Sequence, residues 1–259
     1  MSERICVIVP TYNNAGTLRQ VLEDILKYTS DIIVVNDGCT DGTAEILSEY
    51  AGRVEAVRFN RNRGKGKALK FGFSAAFNQG YTSAVTMDAD GQHLASDLPA
   101  FFEMAEKKPG AILIGVRKEL VAENKPAGNT FANRFSNFWF TVQTWIHLPD
   151  TQCGFRLYPL KKVRRISFLT SRYEAELELL VFSAWRGTKL IPVPVNVVYP
   201  EDRVTHFRPF VDFARISLLN TILLVFSIIY CLPRRLIAAI LSVIRKPLKT
   251  NKLPDNVSY

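Results

Sequence analysis

The chain has 259 residues, of which 47% are hydrophobic, and a formal charge of +9. That length allows one large α/β domain with an appendage, and Cys6, Cys39, Cys153 and Cys231 form no CxxC pair, which excludes a structural zinc and indicates a reducing, cytosolic setting. The basic surplus calls for an anionic partner; with no aromatic-interleaved RNA-binding motif or zinc finger present, nucleotide phosphate and anionic lipid stand ahead of nucleic acid.

In chain order, Ile5 to Val9, Ile32 to Val35, Val54 to Arg58, Ala84 to Met87 and Ala111 to Gly115 read as short buried strands. The first begins so near the N-terminus that no secretory leader is expected. Helices are predicted over Thr17 to Tyr28 and Thr43 to Tyr50, and Leu69, Phe73, Ala76 and Phe77 give Lys65 to Gln79 one apolar face. Strand and helix alternating in this way imply right-handed crossovers and a mostly parallel sheet.

Ligands of such sheets bind beyond the carboxyl ends of the strands. Pro10-Thr11-Tyr12-Asn13-Asn14 follows the first strand, Asn36-Asp37-Gly38 the second and Asp88-Ala89-Asp90 the fourth. Three polar strand ends of one sheet mark a candidate site.

From Asn129 onward an aromatic-rich helix (Phe131, Phe135, Phe138, Trp139, Phe140), a loop Leu148 to Gly154 and a helix from Tyr173 to Trp185 are expected. Lys189 to Tyr199 alternates and carries two prolines, so it is predicted to be an edge or terminal strand. Ile216 to Leu232 is an uncharged run, bounded by Arg215 and by Pro233-Arg234-Arg235, and Leu236 to Ile244 is a second, shorter apolar segment. A spanning helix needs about 20 apolar residues, so the first run is at the short limit and the second cannot span alone. Basic residues at both ends suit a helix pair lying in a membrane surface, and a buried core helix or an oligomer interface is the other reading. The expected division is a catalytic domain over 1–210, apolar membrane-associated helices over 211–246 and a polar tail over 247–259.

Asp88 and Asp90, one residue apart, repel each other, and a divalent cation that also binds phosphate oxygens removes the conflict. Mg²⁺ or Mn²⁺ is the expected cofactor, with Gln92 adding a neutral oxygen; an aspartate turn before the helix near Asp97 is the structural alternative. Asp37 can accept hydrogen bonds from a base or ribose, or serve as an Asx-turn residue. "RNRGKGKAL" lacks the spacing of a P-loop and is left as either a helix N-terminus near a diphosphate or solvated charge.

Taken together, "VIVPTYNNAGTL", "IIVVNDGCTDGT", "NRGKGKAL" and "MDADGQH", in this order, resemble the inverting, GT-A-fold glycosyltransferases of family 2. "DTQCGFRLY" and the segment with Arg203 and His206 make the chain most similar to the branch that glycosylates polyprenyl (dolichyl) phosphate. The resemblance implies a Rossmann-like sheet and nucleoside-holding roles for Pro10, Tyr12 and Asp37. Asn14 stands where the family usually has glutamate. It implies a metal and diphosphate site at Asp88, Asp90 and Gln92, acceptor-phosphate arginines at Arg117 and Arg134, and a basic residue of a mobile loop at Arg203. Asp150, Gln152 and Arg156 are placed by the sugar or acceptor.

The expected reaction moves a hexose from a UDP- or GDP-sugar to a polyprenyl phosphate on the cytosolic face of a membrane. A hydroxyl acceptor, as in glycolipid or polysaccharide synthesis, is the rival; it needs a general base, for which Glu174 or Glu176 is the candidate against a solvated acidic face. A nucleotidyltransferase and a non-catalytic membrane adaptor are further alternatives. Oligomeric state is not legible.

Overall fold

The computed structural model describes residues 3–118, 130–166, 170–172, 174–198 and 209–233. Arg203, His206 and the second apolar segment, 236–244, lie outside the described residues.

The central strands form where β-branched residues run without interruption, because a strand covered on both faces has no solvent side to carry polar residues. β1 (Ile5–Thr11), β2 (Ile32–Asn36) and β4 (Ser83–Thr86) are buried along nearly their whole length. With β3 (Glu55–Arg58), β5 (Ile112–Arg117), β6 (Arg156–Pro159) and β7 (Leu190–Val195), they form a sheet in the order β3-β2-β1-β4-β6-β5-β7. β1 pairs in parallel with β2 and β4, β2 with β3, and β5 with β7. β6 is antiparallel to both β4 and β5.

The helices are α1 (Ala15–Leu26), α2 (Thr43–Glu49), α3 (Lys65–Asn78), α4 (Leu98–Lys107), α5 (Thr130–Thr144), α6 (Leu160–Val163), α7 (Glu174–Trp185) and α8 (Pro209–Phe226). Alternate strand residues feed two cores. Cys6, Ile8, Ile33 and Val35 face Leu69 and Phe73 of α3 and Leu179 and Leu180 of α7. Val7, Val9, Val34 and Val85 face Leu18 and Leu22 of α1 and Leu98 and Phe101 of α4. α3 lies so close to the sheet that a Cβ on Gly72 would sit 2.7 Å from Ile8 Cγ2.

The expected strands, helices and mostly parallel sheet are present, but β3, expected to be buried, is mostly exposed because it ends the sheet; β7 is at the opposite edge as its prolines require. Two elements were not among those expected: the short α6, and β6, which inserts antiparallel between β4 and β5. Because two antiparallel steps restore direction, β5 still runs with β4. Its carboxyl end, at Arg117, therefore joins those of β1, β2 and β4, and β6 begins at that edge with Arg156.

α8 and the π-helical turn Ser227–Cys231 carry the uncharged run. Leu219 and Leu223 are buried, and Gln143 of α5 donates from Nε2 to the Asn220 carbonyl and side-chain oxygens at 3.2 and 3.0 Å. Among the described residues no helix is long and apolar enough to cross a membrane.

Candidate active site

The loops after β1 and β2 are tied to each other by side chains that act as backbone caps. Asn13, at φ +54°, accepts from the Thr40 N–H at 2.8 Å, and Asp41 accepts from the Ala15 N–H at 2.9 Å and the Thr43 N–H at 3.1 Å. Asp41 thereby caps the starts of α1 and α2 together. Asn14 precedes α1 and its Oδ1 accepts from the Tyr12 N–H at 3.3 Å, so the asparagine orders the same turn that carries Tyr12. Pro10 is buried at the end of β1 and Tyr12 is half-buried.

Asp37 is 3% exposed, and both its oxygens accept backbone N–H groups: Arg63 at 2.7 Å and Gly64 at 2.8 Å. Burial raises its carboxyl above the usual range despite those two bonds. Gly38, at φ +72°, lies where a Cβ would meet the Arg61 carbonyl carbon at 2.3 Å, so only glycine lets the two loops touch. The "RGKG" stretch is thus a folded loop pinned by Asp37 and opening α3, with Arg61, Arg63 and Lys67 exposed.

Lys65, the first residue of α3, answers the charge conflict of the Asp-Ala-Asp triplet. Its Nζ is 2.7 Å from Asp88 Oδ1 and 3.0 Å from Glu176 Oε2. Burial alone would lower the ammonium's pKa, but the two carboxylates more than reverse that and leave it raised. Burial likewise pushes the Asp88 carboxyl up, and the surrounding positive charge, Lys65 foremost, more than offsets it, so Asp88 titrates below its ordinary value. The cation that Asp88 needed is supplied in part by the chain.

Asp90 Oδ1 accepts the Gln92 N–H at 3.0 Å across Gly91, which has φ +74°. This is an Asx turn, though it caps no helix as the structural alternative supposed, and it presents a carboxylate and an amide side chain on one short loop. Carboxylate and amide oxygens are the donor class that Mg²⁺ and Mn²⁺ take, usually with substrate phosphates completing the shell. Among the described residues no three His, Cys, Asp or Glu side chains gather into a metal cluster. A cation at this loop would therefore need a ligand's oxygens as well, which the donor set fits. The His93 ring stacks on Phe155 at 5.5 Å, and burial pushes its pKa down to about 4, leaving it neutral.

Of the two readings open for the helix with Glu174 and Glu176, the solvated acidic face is overturned. Glu174, Glu176 and Glu178 are all buried, because α7 is covered on every side, and Glu178 accepts from Thr170 while Glu176 holds Lys65. The space beside the Lys65–Asp88 pair is kept by Gly154, where a Cβ would stand 2.8 Å from Asp88 Oδ2 and 3.2 Å from Lys65 Nζ. Gly154→Ala is therefore expected to lose about 1–3 kcal/mol of stability through forced displacement of that pair. Urea denaturation checks this, and an unchanged midpoint counts against the close packing.

Arg117, at the end of β5, makes a bidentate pair with the wholly buried Asp150: Nε to Oδ2 at 2.7 Å and Nη2 to Oδ1 at 3.1 Å. Asp150 Oδ1 also accepts from Asn133 Nδ2 at 2.9 Å and from the Gln152 and Cys153 N–H groups at 3.0 and 3.2 Å. The carboxylate is thus the anchor of the loop before β6 and aims the arginine. Gln152 donates to the Ala132 carbonyl at 3.2 Å, and Arg134 is exposed two residues further along the same helix. Sequence reasoning gave Lys65 no role and set Asp150 by the sugar or acceptor, whereas Asp150 is wholly buried behind Arg117. Their signal was only an acid and a base near motifs, since their partners come from distant segments.

The family model for glycosyl transferase family 2 matches residues 6–167. The UDP-N-acetylglucosamine–dolichyl-phosphate N-acetylglucosaminyltransferase of Methanococcus voltae is 26% identical over 217 residues, covering 76% of this chain and 86% of that one. The undecaprenyl-phosphate mannosyltransferase of Micrococcus luteus is 26% identical over 208 residues, covering 76% and 85%. In three dimensions the chain is similar to Mycobacterium tuberculosis glucosyl-3-phosphoglycerate synthase in complex with Mn²⁺, UDP-glucose and phosphoglyceric acid, with TM-score 0.66, 17% identity and coverage of 87% and 79%. With the motifs on the strand ends where the GT-A sheet requires them, the chain belongs to glycosyl transferase family 2.

Proposed function

We propose that this glycosyltransferase moves a hexose, with inversion, from a nucleoside-diphosphate sugar to the phosphate of a polyprenyl phosphate at the cytosolic face of a membrane. The observation that carries the reading is one edge of the sheet, where β4 leads into the turn of Asp90 and Gln92 and β5 ends at Arg117, itself aimed by a buried carboxylate. Relatives named for dolichyl- and undecaprenyl-phosphate acceptors support it.

Pro10, Tyr12 and Asn14 would wall the nucleoside from the β1 side, and Asp37 would order the facing loop. Asp90 and Gln92 would hold Mg²⁺ or Mn²⁺, with Asp88 fixed behind them by Lys65; the bound ion offsets charge on the departing diphosphate. Arg117 and Arg134 would receive the acceptor phosphate, and Arg203 would approach the diphosphate. A phosphate acceptor is already an anion and needs orientation more than a base. A hydroxyl acceptor would need Glu176 to take a proton, yet its carboxylate is ion-paired with Lys65 and almost enclosed, which suits a fixed charge.

Arg134, Phe138 and Val142 recur at helical spacing on α5 and are exposed, as is Trp145 just after it, and so are Leu218, Ile222, Val225, Phe226 and Ile229 along α8 and the turn after it. We read these two apolar faces as the membrane-associated surface, with the catalytic domain ending near residue 210. An arginine heading an apolar stripe with an exposed tryptophan is suited to the headgroup layer.

The test is incubation of the full chain with Mn²⁺, polyprenyl phosphate and radiolabelled UDP- or GDP-sugars. A charged lipid product with release of nucleoside diphosphate is expected; label on a neutral lipid, or release of pyrophosphate, overturns the reading. Arg134→Ala is expected to weaken acceptor use about 10- to 100-fold, through loss of a charge-assisted hydrogen bond, while nucleotide affinity measured by calorimetry without acceptor stays unchanged. An equal loss of nucleotide affinity would show that Arg134 serves the donor.

A further inference from the structure

Arg156 is one of the largest fully buried side chains in the molecule, and it opens β6 in the middle of the sheet. Burying a guanidinium is expensive, and an apolar residue of similar volume would often be as stable there. Its four hydrogen bonds all go to neutral oxygens. Nε donates to the Cys153 carbonyl at 2.7 Å and Nη2 to the Thr151 carbonyl at 2.8 Å; Nη1 donates to the Glu176 carbonyl at 3.0 Å and to Tyr158 Oη at 3.1 Å.

These partners fall on two sides. Thr151 and Cys153 belong to the loop that Asp150 anchors, and Asp150 aims Arg117. Glu176 belongs to the first turn of α7 and, through Lys65, holds Asp88. Arg156 pairs across the sheet with Thr86 of β4 and Ile114 of β5, so the one side chain stands between the strand that leads to Asp88 and the strand that leads to Arg117. A planar fork with donors in fixed directions can join two backbone segments at a set angle, which a lysine cannot do.

We propose that Arg156 is a positioning residue that fixes the loop Asp150 to Gly154 against the cluster of Lys65, Asp88 and Glu176, so that the two halves of the site keep one geometry. The assignment of those halves to acceptor and donor rests on the function proposed above; the mechanical coupling does not. A residue of this kind affects the alignment of two bound reactants more than the binding of either.

The test uses the full chain with Arg156→Lys, which keeps the charge and loses the fork. Amide hydrogen exchange is expected to speed up on both sides together, at Gln152 and Cys153 in the loop and at Ala175 to Glu178 in α7, by about tenfold or more as local opening becomes easier. Turnover at saturating substrates is expected to fall about 100-fold while the KM for the nucleotide sugar changes less than about threefold. Acceleration on one side alone, no acceleration, or a donor KM that rises in step with the loss of turnover overturns the proposal. Should Arg156→Lys fail to fold, Tyr158→Phe removes only the phenol that steadies Nη1, and a smaller acceleration must again appear on both sides. If the wild-type chain transfers no sugar to polyprenyl phosphate, the proposed function fails, and the exchange measurement by itself decides for or against Arg156.

Discussion

Replacing Lys65 with methionine is expected to destabilise the fold by about 3 kcal/mol and to remove activity, because it leaves Asp88 and Glu176 as neighbouring carboxylates without a cation. The lower part of the usual range for a broken buried pair applies, since 24% of the Asp88 side chain still reaches solvent. The pH dependence gives the sign. In the wild type, Asp88 titrates below its unfolded value, so its contribution is present at neutral pH and is lost only as pH falls through the depressed folded value. In the variant, repulsion and burial push the carboxyls up instead, and protonation relieves the conflict. The deficit relative to wild type should therefore shrink between pH 7.5 and pH 5 in thermal melts. An equal deficit at both values would mean that lost packing of the lysine stem, not charge, is the cause.

This cluster shows where the sequence is legible. Asp88 and Asp90, one residue apart, announce a need for positive charge, and the need is real. That Lys65 meets part of it cannot be read along the chain, because the pair closes only when α3 packs beside β4. Glu174 and Glu178, four apart, share one side of the helix while Glu176 lies on another, and along the chain this pattern fits a solvated helix as well as a catalytic one. They are buried because α7 is enclosed all round, a property of its neighbours and not of its own pattern.

The same reasoning separates the strands that could be read from the one that could not. β1, β2 and β4 are continuous runs of β-branched and small residues, the signature of a strand covered on both faces. β6 is four residues long and opens with an arginine, which reads as loop. Only the partners of Arg156, gathered from the preceding loop and from α7, let that charge enter the sheet. The same strand reverses direction and so returns β5 to the parallel sense, which is what brings Arg117 to the site edge.

Asp90→Asn tests the metal assignment with the least disturbance of the fold. Asp90 Oδ1 accepts the Gln92 N–H, and an asparagine oxygen can accept the same bond, so the turn across Gly91 survives. What changes is charge. A hard divalent ion loses a carboxylate and gains at best a neutral oxygen, and the diphosphate it would share loses its link to the protein. The expected loss in turnover is about a thousandfold, equivalent to about 4 kcal/mol of transition-state stabilisation. Mn²⁺ affinity in the presence of UDP or GDP, followed by the electron paramagnetic resonance signal of the free ion, should fall at least about tenfold, the size of a lost charged contact. The melting temperature should stay close to that of wild type. Asp88→Asn is expected to behave differently: it weakens the partner of Lys65, so stability should fall with activity. Near-wild-type turnover of Asp90→Asn at saturating Mn²⁺, or equal melting-temperature losses in the two variants, would mean that Asp90 serves the turn and that the metal is held elsewhere.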